Sequence, residues 1–240
     1  MEVRFLPVVP HMKINKCMTI NLTQLIFHKK NALTKDECQF LIEEYSKLKN
    51  NDTLESCPEA TTGVNTFSTF KRGELEYGTE AWNLMFKANE TLINEYMDYL
   101  ESFGMFHVFT RKSMLFSHMY RLLKYEPGTK IHPHTDHGPF VYGSATFNLN
   151  SDYTGGDFVF WNGKHRVKLD AGEAIIWPAD FFWVHGVEPV VTGERFSTNS
   201  FLLSIPQPMI DSILEYLKEN YKDPGYQHYT RSRQYKIRQS

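Results

Sequence analysis

The sequence has little cysteine, no long apolar run and almost no excess of charge. Its three cysteines, Cys17, Cys38 and Cys57, are odd in number and lie away from the histidine-rich region, which argues against a disulfide framework or a zinc ribbon. No apolar run reaches the roughly 18 residues of a membrane span, and the first residues do not resemble a secretion signal. We therefore expect a cytoplasmic protein with reduced thiols and no membrane partner.

The composition is that of a folded protein without a marked electrostatic preference. The 240 residues carry a formal net charge of -2, with 41% hydrophobic and 22% charged residues, values close to globular averages. A charge so near zero gives no general attraction to nucleic acid or to an anionic membrane. We expect one domain over residues 1–240, and the sequence does not indicate its oligomeric state.

The first part of the chain predicts two helices separated by a loop. Thr34 and Glu37 form a capping-box pattern, and the apolar residues behind it recur at helical spacing, which predicts a helix over residues 34–48. Residues 79–100 carry one broad apolar face and predict a longer helix. Residues 51–73 show no sustained period and are interpreted as a long loop.

Beyond about residue 114 the pattern changes to short runs of β-forming residues separated by turn signals, as in a sandwich or barrel. Asn162-Gly163 is the strongest of these signals and predicts a hairpin with a type I′ turn. Residues 207–219 predict a closing helix. The basic segment 224–240 is interpreted as a solvated tail. The fold class is therefore mainly β with flanking α.

A candidate metal site lies in this β-rich part of the chain. His134 and Asp136 are two residues apart, so on a strand both side chains point to the same face. His185 lies in an apolar run where an unpartnered imidazole is costly to bury, and it is interpreted either as a third ligand or as a satisfied core histidine. Two histidines and one carboxylate are the ligand set of non-heme Fe(II) oxygenases.

Arg195 follows ten residues after His185 and shares a strand face with Ser197 and Asn199. A guanidinium inside a barrel needs an anion, and its fork geometry suits a carboxylate; the alternative is a surface arginine in an ion pair. Across a simple two-residue turn at Thr192-Gly193, strand alternation would place Arg195 and His185 on opposite faces. Both point inward only if the chain crosses there to a facing sheet, as in a jelly roll.

Residues 115–205 resemble the double-stranded β-helix of the Fe(II)/2-oxoglutarate dioxygenases, within the prolyl 4-hydroxylase-like branch. The matching segments are Tyr125–Gly128, His134 with Asp136, Leu149–Asp157, His185–Val190 and Gly193–Ser197. The resemblance implies a double-stranded β-helix (jelly roll) core over about 115–205, N-terminal helical and loop support over about 1–110, and a C-terminal helix with the basic tail over 206–240. Together these parts would form a single catalytic domain.

The resemblance also implies roles for individual residues. His134, Asp136 and His185 would ligate Fe(II), and Arg195 would bind the distal carboxylate of 2-oxoglutarate. Auxiliary contacts to the cosubstrate are implied for Tyr125, Asn148 and Ser197. Three further histidines match no family ligand and are interpreted as surface or supporting residues: His132, His137 and His165. Collagen-type prolyl hydroxylases usually have Lys at the position of Arg195, so the likeness to that subgroup is incomplete.

The activity implied is hydroxylation of an unactivated C–H bond with Fe(II), 2-oxoglutarate and O2, with ascorbate as an accessory reductant. The carboxylate of Asp136 favours hydroxylation, because the related halogenases have a small residue in its place. Three readings stay open: a protein or peptide hydroxylase with prolyl residues as the leading target, a hydroxylase of a free amino acid or other small molecule, and a non-catalytic jelly-roll binding module. A substrate lid is expected over residues 51–73, which include Phe67, Phe70, Lys71 and Arg72.

Overall fold

The computed structural model describes residues 21–48, 53–58, 65–103, 113–136, 138, 140–209, 211–212, 215 and 226–228. Two α-helices are described in full, α1 (Lys35–Lys47) and α2 (Glu80–Ser102). The described strands are β1 (Phe27–Lys29), β2 (Thr53–Pro58), β3 (Asn65–Glu74), β4 (Phe116–Tyr125), β5 (Ile131–His134), β6 (Val141–Asn148), β7 (Thr154–Gly155), β8 (Phe158–Phe160), β9 (His165–Val167), β10 (Ala174–Pro178), β11 (His185–Val187), β12 (Val190–Thr192), β13 (Arg195–Leu203) and β14 (Tyr226–His228).

The strands form two facing antiparallel sheets and a short two-stranded sheet. The large sheet has the order β1-β10-β6-β13-β4-β3-β2, with β14 also paired to β4. The second sheet has the order β5-β11-β8-β9, and β12 pairs with β7. Buried residues of both larger sheets form one interior cluster, which includes Leu123 and Trp177 of the large sheet and Phe158 and Val187 of the second sheet. The jelly-roll core predicted from the sequence is confirmed.

The two helices cover the outer face of the large sheet. The capping box is present: the Thr34 hydroxyl accepts a hydrogen bond from the Glu37 amide, and the Glu37 carboxylate accepts one from the Thr34 amide. Leu41 of α1 and Met85 of α2 pack in the same buried cluster as Phe147 of the sheet. Both predicted helices are confirmed within two residues at each end. None of the described helices combines the length and apolarity that a bilayer crossing needs.

The prediction of a loop over residues 51–73 is wrong for the described part of that segment. β2 and β3 form an antiparallel hairpin, and β3 continues the large sheet by pairing with β4 from Lys71 to Glu74. Residues 65–72 alternate polar and aromatic or β-branched side chains only briefly, so the local pattern is weak. The strand is stabilised by its pairing with β4, a partner about fifty residues away in the sequence, which a local pattern does not reveal.

The predicted hairpin at Asn162-Gly163 is confirmed. The two residues have φ angles of 55° and 83°, as a type I′ turn requires, and the Lys164 amide donates to the Trp161 carbonyl. The helix predicted over 207–219 begins as a 3-10 turn at Gln207–Met209, and most of its other residues lie outside the described ones. The tail interpretation is wrong for Tyr226–His228, which pair with β4.

The crossover predicted at Thr192-Gly193 is confirmed. β11 and β12 lie outside the large sheet, whereas β13 begins at Arg195 inside it. Gly193 makes the reversal with a φ of 76°, and a Cβ at this position would lie only 3.0 Å from the Cα of Tyr153. His185 and Arg195 therefore approach the interior from opposite walls.

Candidate active site

Three side chains with metal-binding atoms meet at one end of the second sheet. His134 is the last residue of β5 and pairs directly with His185, the first residue of β11. Asp136 follows two residues after His134. The nearest ligand atoms of the three side chains lie within 4.8 Å of one another. Among the described residues, this is the one group of three or more possible metal ligands. The structure thus brings together the three predicted metal ligands.

Each imidazole is held in one orientation by a backbone carbonyl two residues earlier in the chain. His134 Nδ1 lies 2.8 Å from the carbonyl oxygen of His132, and His185 Nδ1 lies 2.8 Å from that of Trp183. A carbonyl oxygen only accepts hydrogen bonds, so Nδ1 carries the proton in both rings. This leaves Nε2 of each ring as the atom that is free to ligate a metal.

Both Nε2 atoms face the carboxylate of Asp136, at 3.4 Å for His134 and 3.3 Å for His185. Burial alone would raise the pKa of Asp136, but the two imidazoles, His185 first, hold that pKa well below its usual range. The carboxylate is therefore ionised. Two imidazole nitrogens and a carboxylate oxygen that converge in this way fit a divalent metal such as Fe(II).

The pair of strands that carries the histidines is unusually close. A Cβ on Gly186 would lie 2.7 Å from the carbonyl oxygen of Ile131 in β5, so only glycine allows this approach. Aromatic rings hold the distal imidazole: Phe158 stacks on His185 with centroids 5.3 Å apart, and Trp177 contacts it edge-on at 5.0 Å. The position of His185 is thus set by packing on two sides.

Arg195 is buried at the start of β13 with 1% of its surface exposed. Its Nε donates to Asn148 Oδ1 at 3.1 Å, and its guanidinium carbon lies 4.8 Å from the centre of the Tyr125 ring. One terminal nitrogen, NH1, is buried and has no hydrogen-bond partner. Among the described residues no carboxylate forms an ion pair with Arg195, so this site has a buried cation that lacks its anion.

The other residues predicted to contact the cosubstrate surround Arg195, and Asn148 contacts the guanidinium itself. Asn148 donates both amide hydrogens to the carbonyls of Asn150 and Leu169, and its oxygen accepts from Arg195 and from Tyr153. Asn148 is therefore placed to orient the guanidinium. The Ser197 hydroxyl is buried and has no partner. Tyr153 was missed by the sequence analysis, since nothing in its local pattern indicates the contact.

The remaining histidines lie apart from the metal cluster or outside the described residues. His132 contributes its backbone carbonyl to His134. His165 lies in β9, half-buried, with its ring 6.1 Å from that of Phe160. His137 lies outside the described residues.

A narrow cavity connects the triad with the interior face of the large sheet. Opposite His134, Asp136 and His185 its lining includes Ser144 of β6, Trp177 of β10 and Asn199 of β13. Arg195 lies on the same face of β13 as Asn199, four residues away. No sequence pattern indicates a role for Ser144 or Trp177, and strand alternation predicts only that Asn199 shares the face of Arg195.

Comparison with known proteins identifies the core. Residues 120–203 match the family model of the 2OG-Fe(II) oxygenase superfamily. Two curated relatives are PKHD-type hydroxylases: one from Paracoccus denitrificans is 33% identical over 84 residues, 34% of each chain, and one from Rhizorhabdus wittichii is 41% identical over 66 residues, 26% of this chain and 28% of the relative. The matches span about a third or less of the relatives' length.

Solved structures share the fold at low sequence identity. A viral collagen prolyl hydroxylase from Paramecium bursaria Chlorella virus-1 has a TM-score of 0.55 at 16% identity, covering 76% of this chain and 97% of the other. A prolyl-4-hydroxylase from Pseudomonas putida has a TM-score of 0.55 at 19% identity, covering 75% and 92%. Residues 120–203 of this chain therefore match the 2OG-Fe(II) oxygenase superfamily in sequence, and the chain shares the fold of the prolyl 4-hydroxylases.

Proposed function

We propose that this protein is an Fe(II)- and 2-oxoglutarate-dependent dioxygenase that hydroxylates an unactivated C–H bond. The observation that carries the proposal is the presence of two complementary sites in one jelly roll. Two histidines and one carboxylate converge in an arrangement that fits a divalent metal, and the buried guanidinium of Arg195 has no anionic partner among the described residues. A non-catalytic binding module has no need for both.

The site residues have separate roles in this proposal. His134, Asp136 and His185 would hold Fe(II), and a site with three protein ligands would leave it accessible to the cosubstrate and O2. Arg195 neutralises the distal carboxylate of 2-oxoglutarate, and Asn148 and Tyr125 keep the guanidinium aimed at it. When bound, Fe(II) with 2-oxoglutarate and O2 supplies the oxidant for the C–H bond, with ascorbate as an accessory reductant. The apolar walls exclude bulk water from the reacting atoms.

The β2–β3 hairpin supports the lid hypothesis for residues 51–73. Phe70 of β3 is buried, and its ring stacks on Tyr125 at 5.4 Å, next to the guanidinium of Arg195. The hairpin therefore borders the cosubstrate end of the interior. Limited proteolysis with and without cosubstrate and substrate tests the lid: cleavage within 51–73 that is unchanged by either ligand contradicts it.

A protein or peptide is the leading substrate, with prolyl residues first. Support comes from neighbours of the same fold, including a Trichoplax adhaerens prolyl hydroxylase in complex with a hypoxia inducible factor peptide fragment (TM-score 0.55, 12% identity, 76% of this chain and 84% of the other). A free amino acid or other small molecule is the alternative. Mass spectrometry for an added oxygen atom across peptide and amino-acid libraries separates the two.

The chemistry itself is tested by succinate release from 2-oxoglutarate with Fe(II) and O2. We expect turnover by the wild type and none above background by His134→Ala, which removes a metal ligand. His165→Ala is the matched control, because it removes a half-buried imidazole that lies outside the metal cluster, and it should retain turnover. Equal succinate release by the wild type and His134→Ala would refute the oxygenase assignment.

A further inference from the structure

Two groups of buried polar atoms without hydrogen-bond partners lie on the interior face of the large sheet. The first group is Arg195 NH1 with the Ser197 hydroxyl. The second is the Ser144 hydroxyl, the Trp177 indole nitrogen and the Asn199 carboxamide oxygen. Buried polar groups without partners cost about 1–3 kcal/mol each, so each group indicates a ligand that completes it.

Strand register separates the two groups. Ser197 pairs with Asn148 of β6 at the Arg195 end, whereas Ser144, four residues back along β6, pairs with Phe201. At about 3.3 Å per strand residue the two levels are about 13 Å apart. Ser144 also pairs with Trp177 of β10. Ser144 and Trp177 thus lie at the far end of the interior from Arg195, whereas Asn199, which pairs with Thr146, lies between the two levels. All three residues line the cavity that holds the triad.

The cosubstrate accounts for the first group alone. A 2-oxoglutarate whose distal carboxylate paired with Arg195 would complete the unpartnered atoms of Arg195 and Ser197 at that end of the interior. The Trp177 indole can only donate a hydrogen bond, and the Ser144 hydroxyl can donate or accept. Ser144 and Trp177 are each 2% exposed. This second group therefore offers two neutral donors to an oxygen atom that the cosubstrate does not provide.

We propose that Ser144, Trp177 and Asn199 bind a neutral amide group of the substrate next to the carbon that is hydroxylated: Ser144 and Trp177 donate to the amide carbonyl, and the Asn199 oxygen accepts from the amide N–H. This inference rests on the proposed function and narrows its substrate to peptides. None of the three side chains is charged, and a carboxylate buried against neutral donors would lack a counterion. Arg121 pairs with Asn199 across the strands, but its guanidinium is stacked 5.2 Å from the centre of the Phe201 ring. A peptide carbonyl meets the requirement without a charge.

The test follows the Trp177 indole by NMR in the Zn(II)-loaded, 2-oxoglutarate-saturated protein, with Trp177→Phe identifying its signal. The probes are N-methylacetamide, a minimal peptide bond, and acetate, a minimal carboxylate. We expect N-methylacetamide to move the indole proton downfield in a saturable way. Ser144→Ala should weaken this binding about fivefold, the effect of one neutral hydrogen bond.

Ser197→Ala is the matched control, since it removes an equally buried, unpartnered hydroxyl at the Arg195 end. It should leave the N-methylacetamide titration unchanged and raise the 2-oxoglutarate concentration needed for saturation. An indole signal that N-methylacetamide does not move, as expected if only water completes the group, overturns the proposal. Tighter binding of acetate than of the amide also overturns it. Either result leaves succinate release intact, whereas failure of the proposed function abolishes it.

Discussion

Removing the charge of Arg195 should separate cosubstrate binding from folding. In Arg195→Met the chain keeps a long apolar side chain but loses the guanidinium. Truncating one partner of a buried, hydrogen-bonded charge pair costs about 2–5 kcal/mol, which weakens binding about 30-fold to 4,000-fold. Without cosubstrate, the substitution should not destabilise the folded protein, because the wild type then holds a buried cation with no anion. Its removal should leave the unfolding temperature unchanged or higher.

The assay is thermal unfolding with Fe(II) under anaerobic conditions, with and without 2-oxoglutarate. At a hundredfold excess over the dissociation constant, a ligand stabilises the folded state by about 2.7 kcal/mol. For a chain of this length that raises the unfolding temperature by about 5–11 °C. Arg195→Met should lose two thirds or more of this shift, since a 30-fold weaker ligand at the same concentration stabilises by only about 0.9 kcal/mol. The side-chain oxygen of Asn148 keeps one partner in the variant, the hydroxyl of Tyr153, so the surrounding network is not left unsatisfied.

Arg166→Met is the control for loss of an arginine. Arg166 is exposed and pairs with Glu188 and Asp157 at the surface of the second sheet, so the cosubstrate shift should persist. An Arg195→Met protein that keeps the full 2-oxoglutarate shift would refute the anion site. A fall of more than about 10 °C in the unfolding temperature of that variant without ligand would show that the guanidinium serves the fold instead.

Three further predictions concern neighbouring features. Gly186→Ala should push β11 away from the Ile131 carbonyl and lower the unfolding free energy by about 1–3 kcal/mol. It should also weaken metal binding, measured by competition with a chelator. Unchanged metal affinity would contradict the claim that only glycine allows this close approach. Burial raises the pKa of the Cys38 thiol to about 11, above its unfolded value. The stability that the thiol contributes is therefore complete below about pH 9 and is lost as the pH rises towards 11. In denaturant titrations Cys38→Ala should lose less stability over that window than the wild type, and an equal dependence of unfolding free energy on pH in the two proteins would contradict this. Asn89→Ala should cost about 1–3 kcal/mol, because the Ser200 hydroxyl donates to Asn89 at 2.5 Å in a fully buried link between α2 and β13; a variant as stable as the wild type excludes that contribution.

Features with a local cause could be predicted from the sequence. The capping box at Thr34 needs only residues within one helical turn, and it predicts the start of α1 correctly. The turn at Asn162-Gly163 needs two residues that tolerate positive φ, which the structure confirms. In both cases the chemistry that determines the conformation lies next to the residue it affects.

Features that depend on distant partners could be predicted only in part. The relation of His185 to Arg195 could be derived because strand parity left one solution, a crossover to the facing sheet. The β3 strand was missed because it is stabilised by pairing with β4. The role of Trp177 was missed because its indole nitrogen reaches the cavity wall only through the register of β10 against β6. Such contacts require the three-dimensional pairing of strands.

The crossover between His185 and Arg195 also bears on the entropy of binding. A metal bound to His185 and a cosubstrate bound to Arg195 close a ring with the ten-residue segment that joins them. Ring closure in a flexible segment costs configurational entropy that increases with its length. Here β12 is already paired with β7, and the amide of Gly156 donates to the Pro189 carbonyl. Folding has therefore already restricted this segment, and the two ligands close the ring without a further ordering cost.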